Sequence, residues 1–240
     1  MRPGPFRGAC RPLGRWALNP DSPHAHGLVF WIPAGDLQSA EMLTGNLSTQ
    51  TAGPAAASGF ADVGGAVFSS DGSTQRRQIV TPTWPSTATA TIVAWVLMRS
   101  VASYDGLLLG TGANKTGLHV SGAAGNPLTY NWAASSAEYD AATGLTIPLN
   151  TLFMAAVVVT STAATVYLLQ PSGVSSWTRT AAHSTKTPTS TWSIHGDPAN
   201  TSRSMDGLFV DGRAYARPLS LDELKHMYAP ETRWDLYAPA

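Results

Sequence analysis

Residues 89–98, Thr-Ala-Thr-Ile-Val-Ala-Trp-Val-Leu-Met, read as a strand that is apolar on both of its alternating sets. In an extended chain Ile92, Ala94 and Val96 point one way, and Val93, Trp95 and Leu97 the other. A strand with two apolar faces must be covered on both. One face can meet a second sheet. The other needs a loop of the same chain or a neighbouring subunit.

The remaining apolar runs are short and regularly spaced. Strands are expected at residues 27–31, 66–68, 78–80, 106–110, 117–120, 128–132, 191–195 and 207–215, with Asp71-Gly72 as a turn. In the last of these, Phe209 and Tyr215 are expected inside and Arg213 exposed. Residues 153–160 and 165–170 form a hairpin, and Pro171-Ser172-Gly173 ends its second strand. Residues 43–65 are mostly loop. One helix stands out at residues 220–228, where Ser220 and Glu223 have capping-box spacing and Leu221, Leu224 and Tyr228 share a face. Pro230 stops it. No repeat period appears. Many short strands without intervening helices predict an all-β fold, two antiparallel sheets in a sandwich with a short C-terminal helix. Residues 1–20 read as an extended Pro/Arg arm, 21–229 as the domain and 230–240 as an aromatic tail outside the core.

Charge narrows the partners. Charged residues are 12 % of the chain, about half the usual ~25 %, and the net charge is zero. No overall field draws in nucleic acid or acidic lipid, so neither is expected as a partner. No apolar run reaches the ~18 residues of a membrane helix. The only cysteine, Cys10, excludes an internal disulfide. Pro3, Pro5 and Pro12 interrupt the N-terminal segment, which makes it a poor signal peptide. A Thr/Ser/Gly-rich, low-charge surface is typical of secreted and virion proteins.

The order of the pieces resembles a known family. Gly27-Leu-Val-Phe-Trp31, Ala66-Val-Phe-Ser-Ser-Asp-Gly72 with Ile79-Val-Thr-Pro82, Thr91-Ile-Val-Ala-Trp-Val96 and Asn150-Thr-Leu-Phe-Met-Ala-Ala-Val-Val158 follow one another as in concanavalin A-like, laminin G-type jelly rolls. So does Asp206-Gly-Leu-Phe-Val-Asp-Gly-Arg-Ala-Tyr-Ala-Arg-Pro-Leu-Ser220 with the helix behind it. The resemblance covers residues 25–229 and implies a jelly-roll sandwich. The tail Glu231-Thr-Arg-Trp-Asp-Leu-Tyr-Ala-Pro239 resembles the ending of jelly-roll proteins encoded among bacteriophage structural genes.

Catalytic patterns are sparse. Glycosidases of this fold place carboxylates as E-x-D-x-x-E on one strand face, and no such triple occurs. Glu138 and Asp140 are the nearest pair, in a loop-like stretch. There is no G-x-S-x-G, and the Gly110–Gly117 stretch lacks the phosphate-loop spacing. His24-x-His26 has no third ligand at zinc spacing. The expectation is a non-enzyme with no cofactor. Asp71 and Asp206, with carbonyls near Asn114, are weak calcium candidates. Trp31 and Trp95 belong to the core. Trp84, Trp132, Tyr139, Trp177 and Trp192 lie near loops or strand ends and are the candidates for stacking on a glycan.

Together these features suggest a bacteriophage virion component, a capsid decoration or head accessory protein. It would bind the major capsid protein or another virion protein through Arg2, Arg7, Arg11 and Arg15 of the arm and Trp234 and Tyr237 of the tail. A homo-oligomer is expected, with a trimer as the guess. The alternative is a lectin-like carbohydrate-binding module, which a virion could carry for host attachment.

Overall fold

A computed structural model of the chain describes residues 16–33, 49–52, 56–57, 67–72, 76–80, 84–110, 115–132, 140–188, 191–197 and 200–239. In the first sheet, β7 (Ala90–Met98) runs between β11 (Leu152–Val159) and β17 (Asp206–Tyr215). Beyond β11 come β12 (Ala163–Gln170) and β13 (Gly173–Thr180). The far side of β17 is shared: β2 (Leu28–Pro33) pairs with its second half and β5 (Val67–Asp71) with its first, followed by β4 (Ala56–Ala57). In the second sheet, β8 (Gly106–Gly110) lies between β9 (Gly117–Val120) and β14 (Thr191–Ile194). Next to β9 is β10 (Leu128–Asn131); beyond β14 are β6 (Arg76–Val80) and β3 (Thr49–Ala52). A short ribbon of β15 (Gly196–Asp197) and β16 (Asn200–Ser204) joins the edge of β8. The predicted two-sheet jelly-roll sandwich with a short C-terminal helix, α1 (Leu221–Tyr228), is what forms.

β7 is buried along its whole length, and each face has its own core. Ile92, Ala94 and Val96 face the second sheet and meet the cluster containing Leu108, Leu118, Tyr130, Trp192 and Ile194. Val93, Trp95 and Leu97 form another cluster with Trp31, Leu224, Met227, Trp234, Leu236 and Tyr237. The outer face is therefore covered by the chain's own helix and tail. This corrects two expectations. Trp234 and Tyr237 are 3 % and 0 % exposed, so they are core residues of this domain and are not free to anchor a partner. The tail also ends in β18 (Tyr237–Pro239), which pairs antiparallel with β1 (Trp16–Leu18), inside the stretch read as an arm. Arg2, Arg7, Arg11 and Arg15 lie outside the described residues.

Arg213 is the clearest misreading. It is fully buried, on the outer face of β17, in the same row as Asp211 and Tyr215. Arg213 Nη2 and Nε donate to Asp211 Oδ2 at 2.6 and 3.1 Å, and Trp31 Nε1 donates to Asp211 Oδ1 at 3.0 Å. Arg213 Nη2 also reaches the Arg233 carbonyl at 3.2 Å, and its guanidinium lies 4.7 Å from the Trp95 ring centre. A buried cation survives only with such partners. Here the partners are the neighbouring strand residue, two indoles and the incoming tail.

The helix is held at both ends. Ser220 Oγ accepts from the Glu223 N–H at 3.2 Å, and Glu223 Oε2 accepts from the Ser220 N–H at 2.8 Å, the capping box foreseen from the spacing. It buries Leu224 and Met227, with Tyr228 at the margin. Met227 replaces Leu221 as the second anchor, because the covering direction is rotated by one residue. The segment before β2 docks on the same helix: His24 and His226 share a hydrogen bond of 2.7 Å between Nε2 and Nδ1, and Arg217 bridges Glu223 at 2.7 Å and the His26 carbonyl at 2.9 Å. Burial, reinforced by the Arg213 and His226 charges, pushes the His24 imidazole down to about 3. No helix among the described residues is long and apolar enough to cross a membrane.

Three outcomes follow from the outer core. Trp234→Ala should lower folding stability by ~3–5 kcal/mol, as truncations of buried large aromatics do, read by urea melts. Arg213→Met leaves the Asp211 carboxylate buried without its cation, and a loss of ~3–5 kcal/mol is expected by the same measurement. Because the folded-state value of His24 lies below its ordinary 6.5, the unfolded chain takes up that proton first. The stability linked to neutral His24 is complete above pH 6.5 and is lost as the pH falls towards 3. His24→Gln should flatten the stability profile in that window, and an unchanged slope would show that His24 does not titrate as described.

Candidate functional site

The aromatic residues proposed for glycan stacking are mostly interior. Trp84 and Trp192 stack on each other at 5.7 Å and 17°, with Phe30 against both, between the two sheets. Trp132 is fully buried and donates from Nε1 to the Ser184 carbonyl at 2.8 Å. These three have no free ring face for a sugar, because the inter-sheet gap is filled by indoles. Trp177 is half-buried on β13 with the Arg179 guanidinium 5.6 Å from its ring centre. Tyr139 lies outside the described residues, as does Glu138.

The weak calcium candidates separate as well. Asp206 and Asp71 are register partners across β17 and β5. The Asp206 carboxylate, however, accepts from Arg99 Nη1 and Ser100 Oγ, both at 3.0 Å, so a protein cation already occupies it. The Asp71 side chain lies outside the described residues. Among those residues no group of three His, Cys, Asp or Glu is placed to hold a metal ion. His24 turns inward to His226 while His26 is exposed, so the two do not converge.

A different set of polar side chains lies on the outer face of the second sheet. Leu118, Val120, Leu128, Tyr130, Trp192 and Ile194 face the inter-sheet core. By alternation His119, Thr129, Asn131 and Ser193 face the other way. Register places them together: His119 is opposite Thr129, Asn131 opposite Gly117, Gly117 opposite Leu109 and Leu109 opposite Ser193. Gly117 has φ +138, and a Cβ there would lie 2.0 Å from the Leu108 carbonyl oxygen, so this point of the face must stay without a side chain.

All four polar residues are buried, and each has an atom without a hydrogen-bond partner: His119 Nε2, Thr129 Oγ1, Asn131 Oδ1 and Ser193 Oγ. Isolated cases occur in native proteins, but four on one sheet face are unusual. His119 Nδ1 is 2.8 Å from the Val120 carbonyl, which fixes its proton there and leaves Nε2 as an acceptor. Burial lowers the imidazole pKa, with the Val120 and Tyr130 carbonyls, Asp140 and Asp197 pulling the other way. A neutral ring with an open lone pair therefore stands opposite the Thr129 hydroxyl, on a face that also carries the Asn131 amide and, two strands away, the Ser193 hydroxyl. Fixed charge stays at the margin, where Asp197 is held by Lys115 and by Arg203 at 3.2 Å, and where Arg203 covers the Tyr104 ring at 4.4 Å. Nearby, burial raises the Asp105 carboxyl to about 6 despite the Ala102 N–H it accepts. The sequence signal for this face was the polar half of residues 117–120 and 128–132, which aromatic residues nearby overshadowed.

The profile of the concanavalin A-like lectin/glucanases superfamily matches residues 71–225. Nothing among curated proteins matches. Domain 4 of AbnA, an extracellular GH43 arabinanase from Geobacillus stearothermophilus in complex with arabinotriose, is 17 % identical with a TM-score of 0.61, over 82 % of this chain and 96 % of that one. Trypanosoma rangeli sialidase in complex with the inhibitor DANA is 15 % identical with a TM-score of 0.56, over 88 % of this chain and 35 % of the sialidase. The same sialidase with 2,3-difluoro-KDN gives 15 % and 0.55, over 94 % and 36 %. The chain thus spans about a third of the sialidases, and at these identities the likeness is one of fold. Against the expectation of a non-enzyme, the structural neighbours of this chain include glycoside hydrolases or parts of them. Motifs, fold and matched residues agree: the chain belongs to the concanavalin A-like lectin/glucanases superfamily.

Proposed function

We propose that the protein binds carbohydrate on the outer face of its second sheet, through His119, Thr129, Asn131 and Ser193. The observation that carries this reading is their set of buried donors and acceptors left without partners. Sugar hydroxyls both donate and accept, and so they complement hydroxyls, an amide oxygen and an imidazole lone pair together. The face itself carries no fixed charge, which favours a neutral sugar. Support also comes from the arabinotriose held by the arabinanase domain of the same fold.

A second reading, a virion structural protein bound to a major capsid protein or another virion protein, rests on the tail resemblance and the low-charge surface. It is favoured by an exposed sheet edge suited to assembly, and it has lost Trp234 and Tyr237 as contact residues. The two readings are compatible in a sugar-binding domain mounted on a particle. Detection of the protein in purified particles would support the second reading, and its absence from them would remove it.

The site can be tested by Thr129→Val. Removing a buried hydroxyl without a partner should raise stability by ~1 kcal/mol, since an unmade hydrogen bond costs ~1–3 kcal/mol. The same change should weaken binding of arabino-oligosaccharides, or of whichever neutral glycan an array identifies, by about tenfold. Urea melts and calorimetric titration read the two effects. A stability gain with unchanged glycan affinity would remove this face from the binding site.

A further inference from the structure

The first sheet ends in β13, eight residues whose pattern of exposure has no buried side. It pairs with β12 through eight consecutive register partners without a bulge. Among the described residues its other edge pairs with no strand. Its sequence, Gly-Val-Ser-Ser-Trp-Thr-Arg-Thr, contains no proline and no lysine, and Val174 is 41 % exposed. Natural edge strands are normally short, bulged, charged or covered, because an open edge templates pairing with another chain. β4 (two residues) and β10 (four, all buried) follow that rule. β13 does not.

We infer that β13 pairs antiparallel with β13 of a second copy, making the first sheets of two protomers continuous. A two-fold axis normal to a sheet keeps the faces aligned, so residues of like parity must stand opposite each other. Centring the axis on Trp177 keeps seven residues of each strand in register, as centring it on Ser176 also does, and Trp177 is chosen because it brings the two indoles together at the rim of the inter-sheet core. Ser176 then faces Thr178, Ser175 faces Arg179 and Val174 faces Thr180 of the partner copy. The only charge in the strand meets a hydroxyl, and no like charges are opposed. Trp177 meets its own equivalent at the rim of the inter-sheet core, where it is already half-buried against the residues of that cluster. The symmetry is two-fold, in place of the trimer expected from the sequence.

Sedimentation of the full chain over a wide concentration range should show a reversible species of twice the mass of one chain. A strictly monomeric or a trimeric protein would overturn the pairing. Register is read by cysteine crosslinking in a Cys10→Ser background. Trp177→Cys should form a linked dimer on mild oxidation, whereas Val174→Cys should not, since two copies of residue 174 stand ~20 Å apart along the strands. Because Trp177 also touches the core, exposed positions give a second reading. Mixed Ser176→Cys and Thr178→Cys chains should crosslink with each other several-fold faster than either with itself. Equal rates in the mixture and alone, or crosslinking of Val174→Cys as fast as Trp177→Cys, would show that the copies do not meet in this register.

Discussion

The outer half of this domain depends on one buried cation. Arg213 fills a position where a strand facing a helix and tail would ordinarily carry an aliphatic side chain. It is tolerated because Asp211 lies two residues before it on the same face, with Trp31 holding the second carboxylate oxygen. The guanidinium also reaches the Arg233 carbonyl, which ties the strand to the chain just before Trp234. Apolar burial alone would hold the tail against the sheet in several slightly shifted ways. The ion pair and its directed hydrogen bonds select one of them, which is the best-attested use of buried polar groups. The cost is the desolvation of two charges, offset by the surrounding apolar and aromatic cluster.

How much of this was legible can be judged residue by residue. The two-faced apolar pattern of β7 implied two covering layers, and both exist. What it could not reveal was the identity of the second cover, because a tail rich in Trp and Tyr suits a partner surface as well as its own core. The Ser220 and Glu223 spacing located α1 correctly, since capping is a local matter. Arg213 was misread because its charge was taken to mean exposure, although alternation places it on the face of Tyr215, and only a three-dimensional neighbourhood shows its partner. β13 was missed for the opposite reason. Pro171 and Gly173 suggested an end, and Gly173–Thr180 half-buries only Trp177 and Arg179, so the strand carries no hydrophobic period for a sequence to show.

The candidate site shows a related contrast. Loop tryptophans drew attention as sugar platforms, yet Trp84, Trp132 and Trp192 are structural, filling space that small strands alone would leave empty. The residues with unused hydrogen-bonding capacity are small polar ones on regular strands. In sequence such residues look like ordinary solvent-facing positions, and only their burial makes them unusual. A face of this kind is less stable than an apolar one of the same shape, which is a common signature of positions kept for a ligand.

The pairing of β1 with β18 has a mechanical consequence. Trp16 stands opposite Pro239, so these two points of the described chain lie about 5 Å apart, side by side. A pull on the two ends would not stretch the sandwich lengthwise. It would open this ribbon one pair at a time, like a zipper, and then peel the tail from the outer core before any force reached the central strands. The domain would thus yield in two stages, a soft one at its margin and a stiff one in the sandwich, and it would lengthen a tether in which it was embedded only after the first had given way.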